Sequence, residues 1–262
     1  MRRYLGLLRV QLKAALLLAL QYRLEFFMEV FMALLWSGTA LVPLYVLFSM
    51  RDGVRGWTAE EMLVVVGFFT MLKGVLASVI QPSLSQAVEH IRKGTLDFLL
   101  LKPADAQFLL STSKLELAHL ADVLAGVAII AWALAHLPGR VSLFGFVLAS
   151  LLLACALAIL YAIWILVVSL AFRVVKIDNM NYLIVSLFEA ARWPSSIFRG
   201  ALALVFTFVI PLALLTTYPA LALLGKADLS HLATAVGVAL FLLAVSRVVW
   251  TRSIRAYAGA SS

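Results

Sequence analysis

Long runs of consecutive apolar residues constrain the fold of this sequence more than any other feature. A helix needs about 20 apolar residues to cross the hydrocarbon core of a bilayer, and such runs recur along most of the 262 residues. Hydrophobic residues make up 64% of the sequence, whereas roughly half is usual for soluble domains. No water-soluble core of this size could bury the excess, so the sequence predicts an all-α polytopic membrane protein.

Six apolar segments predict membrane-spanning helices. They lie at about 24–48, 58–80, 115–137, 143–172, 180–189 and 231–250. The second begins with Thr58 followed by Glu61, which is the spacing of a capping box. Asp105 is predicted to cap a helix that enters the membrane near Leu115. No internal repeat or soluble domain is recognisable, so residues 1–262 are predicted to form one membrane domain.

The segment around Pro211, "GALALVFTFVIPLALLTTYP", leaves two topologies open. If it crosses the membrane there are seven spans, and if it dips in and returns there are six. Only six spans place the basic tail at 247–255 on the same side as the other basic loops, which in membrane proteins is the cytoplasm. We therefore expect six spans in a bacterial inner membrane, with both termini cytoplasmic. Residues 192–228 would then contain an outer re-entrant hairpin covered by protein.

The first 23 residues predict an amphipathic helix on the cytoplasmic surface of the membrane. At about 100° per residue, Arg2, Arg9 and Lys13 fall within roughly 40° of one another, opposite Tyr4 and Leu7. A helix with one basic and one apolar face lies in the plane of the interface. A signal peptide is the alternative, but the segments that follow are membrane segments too.

The formal net charge of +8 indicates the lipid bilayer, and not nucleic acid, as a partner. Basic cytoplasmic loops of membrane proteins face anionic lipid headgroups. No phosphate-binding loop, metalloprotease motif or nucleophile elbow is recognisable, and the four histidines lack metal-ligand spacing. The single cysteine, Cys155, lies in an apolar run as a packing residue. The sequence thus predicts no enzyme activity, metal site or cofactor for this chain.

Five ionisable residues within or near the predicted spans are candidates for a functional role: Glu25, Glu29, Lys73, Asp122 and Glu189. Glu29 and Lys73 fall at similar depths, so an ion pair between them would lower the cost of holding their charges in the membrane. The alternative is that Lys73 extends to the interface while the glutamates face headgroups. The sequence leaves both arrangements open.

Residues 82–104 gather many charges between two spans. Ser83 and Gln86 have the spacing of a capping box, and Gly94 stands where a helix C-terminal glycine is expected. The apolar run "LDFLLL" follows. One interpretation is an interfacial helix on lipid, and the other is a short helix seated in a groove of a cytoplasmic partner.

Two motifs carry a resemblance to a known family. "IRKGTLDFLLLKP" resembles the coupling region of type-two ABC export permeases, and "RWPSSIFRG" with "FTFVIPLALLTTYPALALLG" looks like a branch that includes viologen-type exporters. The resemblance implies a permease that lacks its own ATPase. It would work with a second permease copy or paralogue and with nucleotide-binding ATPase subunits, which would hold ATP and Mg²⁺. The resemblance to this branch implies amphiphilic cations or drugs as substrates.

The resemblance also assigns roles to residues. The coupling helix would comprise Glu89, His90, Ile91, Arg92 and Lys93, and the turn that holds it Gly94, Thr95, Leu96 and Asp97. A second, weaker contact with the ATPase would lie at 173–178, with Arg173 and Lys176. The re-entrant element, with Pro194, Pro211 and Pro219, would act as an outer lid.

Two other classes of function remain open from the sequence. An ion-coupled secondary carrier would use Glu29, Lys73 and Asp122 as a charge relay, although such carriers usually show internal repeats. A non-transporting membrane scaffold subunit would need none of these charges. Copurification with an ATPase separates the ABC permease from the carrier, and substrate-stimulated ATP hydrolysis separates it from the scaffold.

Overall fold

The computed structural model describes residues 2–50, 53–139, 141–172, 185–198, 200, 206 and 211–257 of the chain. Within these residues the fold is built from helices, without a β-strand. Six helical segments in this part of the chain are long and apolar enough to cross a membrane. The predicted all-α polytopic membrane fold is confirmed.

The number of these segments equals the number of predicted spans, but one of the six is a different part of the chain. Five correspond to predicted spans: Arg23–Met50, Ala59–Arg92, Leu117–His136, Leu143–Leu170 and Leu229–Arg255. The sixth is Tyr4–Gln21, which the sequence predicts to lie in the interface. The predicted span at 180–189 falls partly outside the described residues. Its described part, 185–189, is helical.

Helix α1 (Arg2–Gln21) packs only lightly on the rest of the molecule. Ala15 is its one buried residue among those whose side chains the structure describes. Its Tyr4 ring contacts the edge of Phe108, with 4.7 Å between centroids. This exposure leaves the interfacial position of α1 a prediction. The next span consists of α2 (Arg23–Thr39) and α3 (Val42–Met50), which are separated just before Pro43, where the missing N–H interrupts the helix.

The second span and the predicted coupling helix form one continuous helix. It comprises α4 (Ala59–Val75), a π-helical turn (Leu76–Ile80) and α5 (Gln81–Arg92). The predicted capping box at the start of α4 is confirmed, since Thr58 and Glu61 exchange both hydrogen bonds.

The predicted capping box of Ser83 and Gln86 is wrong, because the helix passes through Pro82 without ending. Proline lacks the N–H that would bond to the carbonyl of Ser78, four residues earlier. That carbonyl lies in the π turn and accepts from the Glu116 N–H at 2.9 Å. The Ser83 hydroxyl instead donates to the Lys114 carbonyl at 2.6 Å.

The third span starts with a broken helix and not with the continuous one predicted from Asp105. The cap itself is confirmed, since Asp105 Oδ1 accepts from the Phe108 N–H at 3.0 Å. The helices that follow α5 are α6 (Asp97–Leu100), α7 (Ala106–Ser111), a 3₁₀ turn (Leu117–His119) and α8 (Leu120–His136). The break at 112–116 is stabilised by the hydrogen bonds of Lys114 and Glu116 to the π turn and the start of α5.

Helices α4 and α8 approach each other through glycines. A Cβ atom on Gly126 would lie 2.6 Å from the Gly67 carbonyl oxygen, and one on Gly74 would lie 2.7 Å from the Val123 nitrogen. Any larger residue at these positions would push the two backbones apart. Close contact of backbones through small residues is the usual way in which membrane helices associate.

The last third of the described chain surrounds the long helix α9 (Leu143–Leu170). A π-helical turn (Ala213–Thr217) and α10 (Tyr218–Leu223) pack on its first half, and α11 (Leu229–Arg255) packs along it. The helical stretch Ala213–Leu223 measures only about 16 Å, too short to cross the membrane alone. The re-entrant hairpin stays a prediction, because 201–205 and 207–210 lie outside the described residues.

Two ends of the molecule are defined by contacts between distant segments. At one, Asp105 contacts Tyr4 of α1 and Arg247 of α11, and we call this the coupling end. At the other, Lys226, which precedes α11, forms an ion pair of 2.6 Å with Glu61 at the start of α4. The basic last turns of α11 therefore lie at the same end as the 93–105 segment, as the six-span topology requires.

Candidate functional site

The turn after α5 has the geometry that the sequence predicts. Gly94 has a φ of 67°, in the left-handed region that favours glycine. The Thr95 N–H bonds to the His90 carbonyl at 3.0 Å, and the Gly94 N–H bonds to the Ile91 carbonyl at 3.3 Å. These two bonds are those of a Schellman motif. The chain therefore reverses direction sharply after the last turn of α5.

Side chains fix this turn to the protein. The imidazole of His90 hydrogen-bonds through Nδ1 to the Thr95 hydroxyl at 2.8 Å. Leu96 is fully buried, and Ile91 is buried on the inner face of α5. Asp97 follows at the start of α6 and is half-buried. The coupling segment, which we define as residues 89–97, is thus held in one shape by its own contacts.

The outward face of this region combines charge with apolar side chains. Glu89 and Lys93 form an i,i+4 ion pair of 2.5 Å, and both side chains are more than half exposed. Arg92 is exposed beside them. Just beyond, Phe98 is 72% exposed and Leu101 is 82% exposed. An exposed charged pair contributes little to stability, so these residues are available for contact with another molecule. Arg173 and Lys176, the predicted second contact, lie outside the described residues.

A group of polar side chains lies within the membrane-spanning part of the molecule. Asp122 is 1% exposed, and its Oδ1 accepts from the Ser37 hydroxyl at 2.5 Å. Its Oδ2 lies 3.5 Å from His119 Nδ1. Lys73 is half-buried on α4, and its ammonium group interacts electrostatically with the Asp122 carboxylate. A buried carboxylate is costly unless it is hydrogen-bonded or paired, and these three neighbours lower that cost.

Among the five predicted membrane charges, Lys73 interacts electrostatically with Asp122, whereas its pairing with Glu29 was one of two arrangements that the sequence leaves open. Glu25 and Glu29 are exposed on α2. The ion pairs found among the described residues include Lys73 neither with Glu29 nor with Asp122, so the interaction of Lys73 with Asp122 is electrostatic and not a direct ion pair. Lys73 has Asp122 as its carboxylate neighbour because α8 crosses α4 at Gly74, whose Cβ position is 3.0 Å from the Asp122 Cβ.

We expect Lys73→Met and Asp122→Asn to be energetically coupled. Each change alone leaves a poorly solvated charge without its counter-charge, so each lowers the thermal stability of the purified protein. The double variant removes both charges and recovers part of the loss, with a coupling of about 1–3 kcal/mol. Thermal unfolding followed by size-exclusion fluorescence measures the cycle.

A matched cycle replaces Asp122→Asn by Glu29→Gln. Since Glu29 is exposed, the losses of Lys73→Met and Glu29→Gln should simply add. Coupling in this second cycle and additivity in the first would show that Lys73 is paired with Glu29 after all.

Glu189 forms a separate pair. It lies three residues before Arg192 and is ion-paired with it, and both side chains are partly buried. The Arg192 guanidinium also lies over the Phe69 ring, 5.5 Å from its centroid. Such a cation–π contact offsets part of the cost of placing arginine against α4.

The described residues around the three predicted lid prolines lie at the end of α4 opposite the coupling end. Pro211 and Pro219 are buried, and Pro194 precedes a 3₁₀ turn. Ser196 in that turn accepts from the Arg55 guanidinium at 2.7 Å through its carbonyl, and from the Trp57 indole N–H at 3.1 Å through its hydroxyl. The action of this region as a lid stays a prediction.

Sequence reasoning missed Ser37, His119 and the ion pair of Asp105 with Arg247. His119 stands three residues before Asp122, a spacing that places both on one helix face and could have signalled the contact. Ser37 and Arg247 are distant in sequence from their partners, and no local pattern indicates them. Across the described ranges no three His, Cys, Asp or Glu side chains are grouped to hold a metal ion.

Comparison with known proteins gives one match. The model of a family described as "ABC-2 family transporter protein" matches residues 34–261, which is most of the chain. No curated protein and no solved structure matches. The narrower resemblance to viologen-type exporters is not confirmed by these comparisons.

Proposed function

Because the chain belongs to the ABC-2 family of transporter proteins, we propose that it is the permease of an ATP-driven exporter. Family membership makes it the multi-pass membrane component of an ABC transporter, a transport subunit and not a catalytic one. The proposal adds the direction of transport, the coupling segment and a dimeric pathway.

The observation that carries this proposal is the continuous helix from Ala59 to Arg92. At 1.5 Å per residue its 34 residues extend about 50 Å, whereas the hydrocarbon core is about 30 Å thick. About 20 Å of helix therefore projects beyond the core and ends at Gly94. A force applied at the projecting end would reach the membrane part of the helix through the π turn (Leu76–Ile80) and Pro82. Hydrogen bonds of Ser78 and Ser83 with the chain at 114–116 support this turn.

The proposed mechanism uses this helix as a lever. A cytoplasmic ATPase subunit binds the coupling segment, and closure of the ATPase around ATP and Mg²⁺ displaces it. The α4–α5 helix then tilts and carries α8 with it through the glycine contact. The pathway lies between this chain and a second permease copy or paralogue, and the proline-containing segment closes its outer side. Both termini and the coupling end face the cytoplasm of the bacterial cell.

Charge reversal at the end of the lever tests the proposal. We expect the double variant Glu89→Lys with Arg92→Glu to lower copurification of the ATPase in detergent by about tenfold. Reversed charges would face like charges on the ATPase, and this repulsion costs more than about 1.4 kcal/mol of binding free energy. The retained subunit is identified by mass spectrometry through its phosphate-binding loop. ATP hydrolysis and ATP-driven uptake of a fluorescent amphiphilic cation into inside-out vesicles are measured in parallel.

The control is Glu60→Lys, which reverses a charge at the opposite end of the same helix. It should leave copurification unchanged. An unaltered ATPase content in the Glu89/Arg92 variant would show that the coupling segment is only an interfacial helix. Uptake driven by an ion gradient without ATP would identify a secondary carrier, and ATPase binding without uptake of any probe would favour a scaffold subunit.

A further inference from the structure

Asp105 joins three helices at the coupling end. It caps α7, and its two carboxylate oxygens accept from both terminal nitrogens of Arg247 on α11, at 2.5 and 3.2 Å. Its N–H lies 3.4 Å from the Tyr4 hydroxyl of α1. The Arg247 guanidinium holds the pKa of the Asp105 carboxyl below its usual value, so the pair is charged at neutral pH. Bidentate pairing of this kind fixes the relative direction of the two side chains.

Gln107 extends this contact to α9. Its Oε1 accepts from Arg247 Nη1 at 2.6 Å, and its Nε2 donates to the Tyr161 hydroxyl at 3.0 Å. The Tyr161 hydroxyl also bonds to Ser111 at 2.9 Å. We call Asp105, Gln107 and Arg247 the latch. Through it, α7 is tied to the two long helices α9 and α11.

The latch lies close to the coupling segment along the chain. Between Asp97 and Asp105 there are only the short helix α6 and the turn at 101–104. A shift at Gly94 therefore reaches α7 over a short stretch of chain.

The latch is also able to open. The side chains of Arg247 and Asp105 are 49% and 35% exposed, so water can hydrate both charges once they separate. A cavity of about 600 Å³ lies beside them, lined by Tyr4, Phe108 and Tyr161 among others. The guanidinium therefore has room to change rotamer without disturbing the packed helices.

We propose that the latch transmits movement of the coupling segment to α11, and that Arg247 releases Asp105 when the ATPase partner binds ATP. Asp105 and Arg247 are positioning residues in this scheme, since neither needs to touch the substrate. The inference rests on the proposed function, because it requires an ATPase that moves the coupling segment.

The first test follows α11 with a reporter cysteine, Arg252→Cys, in a Cys155→Ser background of the complete complex. ATP with vanadate should change the rate at which this cysteine reacts with a maleimide. Asp105→Asn keeps a good cap for α7 but loses the charge, and Arg247→Gln loses the other partner. Each should reduce the ATP-dependent change by about fivefold, and the double variant should reduce it no further.

The matched control is Asp228→Asn. Asp228 caps α11 as Asp105 caps α7, but at the opposite end, where it accepts from Ser230 and His231. This variant should keep the ATP-dependent change within about twofold of the parent, because it lies outside the route of transmission. A similar loss in the control would show a general effect of destabilisation and would overturn the latch.

The second test locks the latch. Asp105→Cys with Arg247→Cys, in the Cys155→Ser background, is linked by a short reducible bifunctional thiol reagent. Linking should stop ATP hydrolysis by the complex, and reduction should restore it. Normal hydrolysis in the linked complex would show that the latch need not open. If an active ATPase copurifies but α11 shows no ATP-dependent change, the latch alone is overturned, and if no ATPase copurifies, the proposed function and the latch both fail.

Discussion

Gly126→Val is expected to prevent most of the chain from folding. The added side chain would begin 2.6 Å from the Gly67 carbonyl oxygen and 2.7 Å from the Met71 nitrogen. Both are backbone atoms of α4, so no change of side-chain rotamer relieves the overlap. Overpacking commonly costs 1–3 kcal/mol, and separating the backbones of α4 and α8 should cost about 3 kcal/mol or more. The yield of monodisperse protein from detergent extracts measures the effect.

Gly237→Val is the matched control, because it makes the same change inside another membrane helix. Nothing lies within 4 Å of the Cβ position of Gly237 on α11. This variant should therefore be recovered at nearly the wild-type yield. Equal yields of the two variants would contradict the close contact of α4 and α8 and, with it, the placement of Asp122 beside Lys73.

Gly94→Val is expected to separate folding from ATPase binding. At a φ of 67° a β-branched residue is strained, at a cost of about 1–3 kcal/mol. The turn would open, and the coupling segment would lose the shape in which His90 and Thr95 hold it. Since 1.4 kcal/mol is a factor of ten in affinity, we expect copurified ATPase to fall about tenfold. Copurification is measured together with the thermal stability of the permease.

The control for this prediction is Gly225→Val. Gly225 has a φ of 71° and ends α10 in the same type of turn, at the opposite end of the molecule. The two variants should lose similar amounts of thermal stability, while only Gly94→Val loses the ATPase. If both variants lose it equally, ATPase binding follows global stability and gives no support to a docking role for the coupling segment.

Much of the fold follows from local sequence signals. Of the five predicted spans that are wholly described, three match the observed helices to within about five residues. The helix predicted at 58–80 continues to Arg92, and the span at 24–48 is divided by a short break at Ala40 and Leu41. The caps at Thr58 and Asp105 and the glycine turn at Gly94 are also confirmed. Each of these signals acts between residues that are close in the chain, so the sequence displays it directly.

The candidate site could be predicted only in part. The helix end and the glycine turn at 94 were predicted from the sequence, whereas the neighbours of Asp122 were not. The role of the coupling segment, which the family resemblance implies, stays a prediction. The interaction of Asp122 with Lys73 depends on where α8 crosses α4. That crossing is set by Gly67, Gly74 and Gly126, whose contacts join residues 48 to 63 positions apart in the sequence. The predicted capping box of Ser83 and Gln86 was wrong because the helix continues through Pro82, where a hydrogen bond from Glu116 replaces the one that proline removes.

The sequence by itself determined that this chain lies in a membrane, where its helices run and how several of them begin and end. These properties depend on hydrophobicity and on hydrogen bonds between near neighbours. The tertiary structure alone decided that the span and residues 81–92 form one continuous helix, that Lys73 interacts with Asp122 and that Arg247 binds Asp105. Those contacts join residues distant in the chain, and their energies depend on helix crossing and burial, which exist only once the helices have packed.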